Sequence, residues 1–90
     1  MSERSVELTN PSGLHARPAT MFAEAAAGLD ATVTVRKGDR EVNAASVLSV
    51  LTLDCHQGDQ ITIRAEGEGA EAAVDHLVTL VEDGLGEEPT

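Results

Sequence analysis

The stretch Ala31-Thr-Val-Thr-Val-Arg-Lys37, followed by Gly38-Asp39 and Arg40-Glu-Val-Asn43, decides the fold class of this chain. Apolar and polar residues alternate from Ala31 to Lys37, which is typical of a strand with one buried and one solvated face. Gly38-Asp39 predicts a turn into a second, shorter strand. The whole stretch is therefore predicted to be an antiparallel hairpin.

Similar patterns on both sides of the hairpin add further strands and helices. Alternation predicts two more strands, and apolar residues at helical spacing predict two long helices. In chain order these elements are a strand around Val6 and Leu8, a helix over residues 16–27, a strand from Ile61 to Ala65, and a helix from Ala70 that ends near Gly84.

A short segment after the hairpin is predicted to be a third helix. Its apolar residues recur as the pairs Val47-Leu48 and Val50-Leu51, and either Asn43 or Ser46 begins it. A short strand is the alternative. The order β-α-β-β-α-β-α predicts an α+β fold in which an antiparallel sheet buries one face under helices and exposes the other. Periodicity alone does not separate this fold from a ferredoxin-like split βαβ module.

Length, charge and composition argue against several classes of function. Ninety residues suffice for one small domain, predicted over residues 1–90 with a frayed tail at 86–90. Sixteen acidic residues against six basic ones, and Phe22 as the single aromatic residue, argue against a nucleic-acid binder. No apolar run approaches the ~18 residues of a membrane-spanning helix. A lone Cys55 and the lack of a secretory segment predict a cytoplasmic protein.

The segment Asn10-Pro-Ser-Gly-Leu-His-Ala-Arg-Pro-Ala-Thr20 places a turn, an imidazole and a guanidinium at the start of the first long helix. The unpaired N–H groups of a first helical turn and the positive end of the helix dipole suit a phosphoryl group. A neutral imidazole attacks phosphorus, so His15 is the candidate nucleophile and Arg17 is placed to hold the transferred charge. Pro18 disfavours helical geometry at Arg17, which shifts the expected helix start from Ala16 to Pro18. No carboxylate lies near His15 in the sequence to activate a water, which favours a carrier over a hydrolase.

Two other patterns in the chain carry little weight. Gly67-Glu-Gly-Ala-Glu-Ala72 fits a dinucleotide-binding loop, but its glutamates repel a pyrophosphate and too few residues follow it. Cys55-His56 supplies half of a metal site, and neither a second pair nor His76 completes it, so no metal is expected.

The octapeptide Gly13-Leu-His-Ala-Arg-Pro-Ala-Thr20 closely resembles the active-site signature of the HPr family, the histidine-containing phosphocarriers of the sugar phosphotransferase system. The likeness extends along nearly the whole chain, through Val42-Asn43, Ser46, Gly58-Asp59 and Ala65-Glu-Gly-Glu68. It implies an open-faced β-sandwich with four antiparallel strands beneath three helices, and no cofactor.

The resemblance also implies an activity. His15 would take a phosphoryl group on Nδ1 from phosphorylated Enzyme I, which phosphoenolpyruvate charges, and pass it to a histidine of a sugar-specific phosphotransferase component. The implied role of Arg17 is to stabilise the phosphoryl charge, together with the backbone N–H groups of Ala16 and Arg17. Partners would bind transiently, and the simplest oligomeric state for such a carrier is a monomer.

Docking is predicted from apolar side chains near the reactive group, and regulation is implied by the resemblance. The predicted docking residues lie beside His15 and on the short helix: Ala16, Thr20, Met21, Val47, Leu48 and Leu51. Ser46 matches the family's second phosphorylation position, which would require a serine kinase as a partner; a plain helix cap is the alternative. The chain departs from its relatives at Asp54, where glycine is frequent, and at Cys55-His56, where the loop is usually small and apolar or basic.

Two further functions stay open at the level of sequence. The first keeps the carrier chemistry and serves a nitrogen-type or dihydroxyacetone-kinase relay instead of sugar uptake. The second is a small ligand-sensing regulatory domain of the ferredoxin-like kind, which would bind a metabolite without covalent chemistry.

Overall fold

The computed structural model of the chain describes residues 1–87 and shows seven regular elements in them. In chain order they are β1 (Ser2–Glu7), α1 (Ala16–Ala27), β2 (Thr32–Lys37), β3 (Arg40–Asn43), α2 (Val47–Leu51), β4 (Gln60–Glu66) and α3 (Ala70–Glu82). The predicted elements occur in the predicted order, and the short segment after the hairpin is a helix rather than a strand.

The four strands form one antiparallel sheet in the order β1-β4-β2-β3. β4 comes late in the chain but lies between β1 and β2, so that Ile61 is paired with Val6 and Ile63 with Val35. Three helices accompany this open sheet. The expected open-faced β-sandwich is therefore confirmed.

The core lies between the sheet and its helices. Inward side chains of the strands pack against the apolar stripes of α1 and α3, and each large side chain stabilises the fold by about 1.5–3 kcal/mol relative to exposure. The large side chains fully buried there include Phe22, Val35, Ile61, Ile63, Val74, Leu77 and Val78. The other face of the sheet carries the residues predicted for it, all exposed or half-buried: Thr32, Thr34, Arg36, Thr62 and Arg64.

Two loops meet at one end of the sandwich: loop 8–15, between β1 and α1, and loop 52–59, between α2 and β4. Leu8 donates its N–H to the Asp59 carbonyl at 2.9 Å and accepts from the Gly58 N–H at 2.7 Å. Leu14 donates to the Cys55 carbonyl at 3.1 Å. These backbone bonds hold the two loops side by side, and residues far apart in the chain become neighbours there.

Two sequence-based expectations concern membrane-spanning helices and the predicted frayed tail. None of the helices within residues 1–87 combines the length and apolarity that crossing a membrane requires. We expected residues 86–90 to fray, but the Glu87 carboxylate is bound by the side chains of Asn10 and Ser12. Residues 88–90 lie outside the described part of the chain.

Candidate functional site

His15 lies at the N-terminus of α1, where it is the residue that precedes the first helical turn. Its backbone is extended, with φ −128° and ψ 157°, and its side chain makes no capping bond to the helix. About a third of that side chain is exposed, at 34%. The imidazole is therefore not used to cap the helix, and solvent or a partner can reach it.

The first turn of α1 presents free backbone donors beside the His15 ring. Among residues 1–87, neither the Ala16 nor the Arg17 N–H has a hydrogen-bond partner. Pro18 has no N–H, so these two donors carry the local excess of positive charge. The helix begins at Ala16 rather than at Pro18, but Ala16 has a φ of +51°. A left-handed conformation is costly for alanine, and it turns the chain sharply between His15 and the helix.

Both ring nitrogens of His15 face hydrogen-bond acceptors. Nδ1 lies 3.0 Å from the Ser12 carbonyl oxygen, and Nε2 lies 3.0 Å from Oδ1 of Asp54. A neutral imidazole has one N–H and can donate to one of these acceptors at a time. The ring thus has two tautomers, each with its own acceptor, and the choice decides which nitrogen carries a lone pair.

Asp54 contacts His15 because a buried residue and a hydrogen bond fix the conformation of loop 52–59. Asp54 itself has a φ of +52°, a conformation that aspartate tolerates better than most side chains and that glycine adopts freely. Cys55, the next residue, is fully buried, and burial raises the pKa of its thiol to about 11, so the thiol is inert. Lys37 donates to the Asp54 carbonyl oxygen at 2.9 Å. Together these contacts hold Asp54 with its carboxylate 3.0 Å from Nε2 of the imidazole.

The close approach of the two loops requires Gly13. It has a φ of +60°, and a Cβ built there would lie 2.3 Å from the Cys55 carbonyl oxygen and 2.7 Å from the Cα of His56. No side chain fits into that space. The position of His15 relative to Asp54 therefore depends on a glycine two residues before the histidine.

His56 and Asp59 complete the surroundings of His15 on loop 52–59. The His56 ring centroid lies 5.1 Å from that of His15, and His56 Nε2 lies 3.5 Å from Oδ1 of Asp54. The His56 backbone N–H and then Lys37 bond to the Asp59 carboxylate, and these bonds lower the pKa of Asp59. In return, the hydrogen bond with Asp59 raises the pKa of Lys37.

Glu87 holds the other side of loop 8–15. Its Oε1 accepts from Asn10 Nδ2 and from the Ser12 N–H, both at 3.0 Å, and its Oε2 accepts from Ser12 Oγ at 2.8 Å. The bonds from Asn10 and Ser12 lower the pKa of Glu87, and the positive charge of Arg17 lowers it further. Ser12, whose carbonyl faces Nδ1 of His15, is thus held by the Glu87 carboxylate.

Arg17 leaves its guanidinium available. Within residues 1–87 it forms no side-chain hydrogen bond and no ion pair, and it is exposed. It follows His15 by two residues in the chain, on the first turn of α1. Arg17 therefore lies on the same helical turn as the free N–H groups, and its charge is close enough to Glu87 to lower the pKa of that carboxylate.

The predicted docking residues surround this end of α1 and extend over α2, which packs against it. Leu48 is 77% exposed, an unusual state for a large apolar side chain, and Ala16 is also exposed. The others are half-buried: Thr20, Met21, Val47 and Leu51. Ser46 caps α2, since its Oγ accepts the Ser49 N–H at 3.3 Å.

Sequence reasoning missed the acidic partners of the site. No carboxylate lies near His15 in the sequence, but Asp54, 39 positions away in the chain, is in contact with the ring. Glu87 falls within the predicted frayed tail, residues 86–90. A local signal existed only for Asp54, an acidic residue at a turn where relatives often have glycine, and it did not reveal what the side chain would touch.

Comparison with known proteins supports a single family. A family model described as the PTS HPr component phosphorylation site matches residues 2–83. A Streptomyces coelicolor protein named Phosphocarrier protein HPr is 47% identical over 90 residues, covering 99% of this chain and 97% of that protein. A Shewanella violacea protein named Phosphocarrier protein NPr is 42% identical over 80 residues, covering 89% of this chain and 88% of that protein.

The fold comparison agrees with the sequence comparison. The crystal structure of HPr-C-His from Thermoanaerobacter tengcongensis superposes with a TM-score of 0.94 at 39% identity, covering 98% of this chain and 99% of that one. The chain therefore belongs to the HPr family of the phosphotransferase system.

Proposed function

We propose that the protein carries a phosphoryl group on Nδ1 of His15, taking it from phosphorylated Enzyme I and delivering it to a histidine of a sugar-specific phosphotransferase component. The single observation that carries the proposal is the contact between His15 Nε2 and Asp54 Oδ1 at 3.0 Å. A proton on Nε2 satisfies Asp54 and leaves the lone pair on Nδ1. The negative Asp54 would in turn repel a phosphoryl group attached to Nε2.

The transfer step follows from this arrangement. The Nδ1 lone pair attacks phosphorus, and a bond forms between them as the bond from phosphorus to the donor atom breaks. The electron pair of the broken bond stays on the donor. The proton on Nε2 stays on the ring and faces Asp54, which stabilises the positive charge that the ring gains. The contact between Nδ1 and the Ser12 carbonyl oxygen, at 3.0 Å, must open to admit the phosphoryl group.

Three donors would hold the phosphoryl oxygens. The Ala16 and Arg17 N–H groups have no partner within the described residues, and both lie at the positive end of α1. The free guanidinium of Arg17 adds charge-assisted bonds, which are about twice as strong as neutral ones. These interactions grow as charge develops on the transferred group, as phosphoryl transfer requires.

The carrier function depends on slow hydrolysis of the phosphohistidine. Asp54 faces Nε2 and not Nδ1, so it is oriented toward the wrong edge of the ring to activate a water for attack on phosphorus. The carboxylate that the sequence did not predict is therefore compatible with a carrier.

Partners would dock around His15. The exposed Leu48 and the neighbouring half-buried Val47 and Leu51 form an apolar patch beside the site, which is the usual character of a transient interface. Ser46 lies at the start of α2 in the same patch, and a phosphate on its Oγ would add charge there. We propose that Ser46 is the second, regulatory phosphorylation site.

The test is phosphorylation by Enzyme I and phosphoenolpyruvate. We expect an acid-labile, alkali-stable phosphate whose phosphorus NMR signal is that of an Nδ1-linked phosphohistidine. His15→Ala must abolish it, whereas His76→Ala, on exposed α3 surface, must not. A stable wild-type protein that takes up no phosphate would refute the proposal. The acceptor that removes the phosphoryl group from the phosphorylated protein distinguishes sugar uptake from a nitrogen-type relay. The nitrogen-type relay stays an alternative because one relative is named NPr.

A further inference from the structure

We propose that His15, Asp54 and His56 form a binding site for a zinc ion, and that zinc at this site blocks phosphoryl transfer. One ligand atom from each residue lies within 4.8 Å of the other two. The second half of the proposal rests on the proposed carrier function, and the first half does not.

Two of the three distances between ligand atoms match a tetrahedral zinc site, and the third is within 4.8 Å. In a tetrahedral site with Zn–N and Zn–O bonds near 2.0–2.1 Å, neighbouring ligand atoms lie about 3.3 Å apart. Asp54 Oδ1 lies 3.0 Å from Nε2 of His15 and 3.5 Å from Nε2 of His56. Both contacts are within a few tenths of an ångström of the tetrahedral edge. The two rings would approach each other around the ion from a separation of at most 4.8 Å between their ligand nitrogens.

Each histidine also has the outer partner that a metal-binding histidine needs. The nitrogen that does not bind metal normally donates its N–H to a carbonyl or a carboxylate, which fixes the tautomer and the direction of the ring. Nδ1 of His15 lies 3.0 Å from the Ser12 carbonyl oxygen. Nδ1 of His56 lies 3.8 Å from Oδ2 of Asp59, so a small rotation completes that bond. Both Nε2 atoms are thus directed at Asp54.

The ligand set and the surroundings favour zinc over hard cations. Two imidazoles and one carboxylate suit zinc, whereas magnesium and calcium prefer oxygen ligands alone. Asp54 and His56 are 73% and 63% exposed, so solvent reaches the site and a water can take the fourth position. Lys37 brings a positive charge nearby, but Asp59 pairs with it at 3.1 Å. The net charge of −10 further favours a cation.

Zinc and the phosphoryl group require opposite tautomers of His15. Zinc takes the lone pair of Nε2 and leaves the proton on Nδ1, where it is donated to Ser12. Transfer requires that proton on Nε2 and the lone pair on Nδ1. The protein with zinc bound therefore has no nucleophile at the site, although the phosphoacceptor residue is intact.

Zinc binding is tested on the full chain by calorimetric titration with zinc chloride at pH 7, with magnesium chloride as a second probe. We expect one zinc per chain and no magnesium binding. Loss of a direct ligand should weaken zinc binding by about tenfold or more, since even outer partners are worth 10–100-fold. His56→Gln and Asp54→Asn should show this loss, and His76→Gln, the matched control on α3, should not. Equal affinity in wild type and His56→Gln would overturn the site.

Inhibition is tested by phosphorylation with Enzyme I, with and without zinc, each variant being compared with its own rate in a chelator. Zinc should slow the wild type and His76→Gln at least fivefold and leave His56→Gln within twofold. Equal slowing of all three proteins would show that zinc inhibits Enzyme I, and it would contradict the proposal that zinc at this site blocks phosphoryl transfer. Since titration requires no Enzyme I, failed zinc binding with normal phosphorylation refutes this inference alone, whereas failed phosphorylation without zinc refutes the carrier function.

Discussion

The carboxylate of Asp54 lies 3.0 Å from Nε2 of His15, although 39 positions separate the two residues in the chain. This contact favours the tautomer in which Nδ1 has the lone pair, whereas the Ser12 carbonyl, 3.0 Å from Nδ1, favours the other tautomer. Asp54→Gly removes the carboxylate and suits the φ of +52° at this position. Because Asp54 is exposed, the contact is worth at most about 1 kcal/mol, so we expect the rate of phosphorylation to fall by up to about fivefold.

The accompanying spectroscopic change is specific to this contact. Nitrogen NMR of the His15 ring should show less of the Nε2–H tautomer in Asp54→Gly than in the wild type, whereas Asp54→Asn, whose side-chain oxygen still accepts, should fall between them. A tautomer ratio that is the same in all three proteins would contradict the assigned role of Asp54.

Arg17 should contribute to the transfer step and little to folding, since its guanidinium is exposed and makes no bond within residues 1–87. Bonds to charged groups are worth about 1.5–3 kcal/mol, so Arg17→Gln should slow phosphorylation by about tenfold to a hundredfold. Arg17→Lys should be intermediate, because a lysine keeps the charge and loses the planar fork. Arg40→Gln, an equal change of charge at the β2–β3 turn, is the control, and a similar loss there would show an effect of net charge alone.

Leu48 should matter for partner binding and not for stability. With 77% of its surface exposed, its replacement by serine removes little buried area from the folded chain. An anchor at the centre of an interface is worth more than about 1 kcal/mol, so Leu48→Ser should lower the rate at limiting Enzyme I by about fivefold or more. The melting temperature should stay within a degree or two of the wild type. Ala72→Ser, an exposed change on α3, should leave the rate unaltered; a wild-type rate for Leu48→Ser would exclude this docking surface.

Gly13 and Gly38 provide a matched test of the contact between the two loops. Both have φ near +60°, but only at Gly13 would a Cβ meet backbone atoms, the nearest at 2.3 Å. Gly38→Ala should cost about 1–2 kcal/mol from the left-handed conformation alone. Gly13→Ala should cost about 1–3 kcal/mol more, because loop 52–59 must move. Urea unfolding measures both, and equal losses would show that the close approach is not tight.

Glu87 should make stability depend on pH. Its pKa is below the ordinary value of 4.5 because Asn10 and Ser12 donate to its carboxylate. The folded chain therefore binds a proton at this group less readily than the unfolded chain, and stability is gained above pH 4.5 and lost as pH falls through the lower folded pKa. The wild type should melt higher than Glu87→Gln at pH 6, and the difference should shrink as the pH falls below 4.5. Glu82→Gln, which removes an exposed carboxylate from α3, should show no such trend.

The fold was largely predictable from local patterns. Alternation in β2 and β4, the Gly38-Asp39 turn and the apolar stripes of α1 and α3 are properties of neighbouring residues, and burial on one face requires them wherever the strands are paired. The strand order was not predictable from the same patterns, because pairing β4 between β1 and β2 depends on contacts between residues some sixty positions apart, such as Ser2 with Ala65.

For the site, the sequence by itself determined that an imidazole and a guanidinium stand two residues apart at a helix start, since a turn followed by a helix places them there without help from the rest of the chain. Only the tertiary structure decided what surrounds them. Asp54, His56 and Glu87 lie 39 to 72 positions after His15 in the chain, and they come near it because loop 52–59 and Glu87 pack against loop 8–15. Such contacts depend on the shape of the packed core, and a one-dimensional pattern carries no record of them.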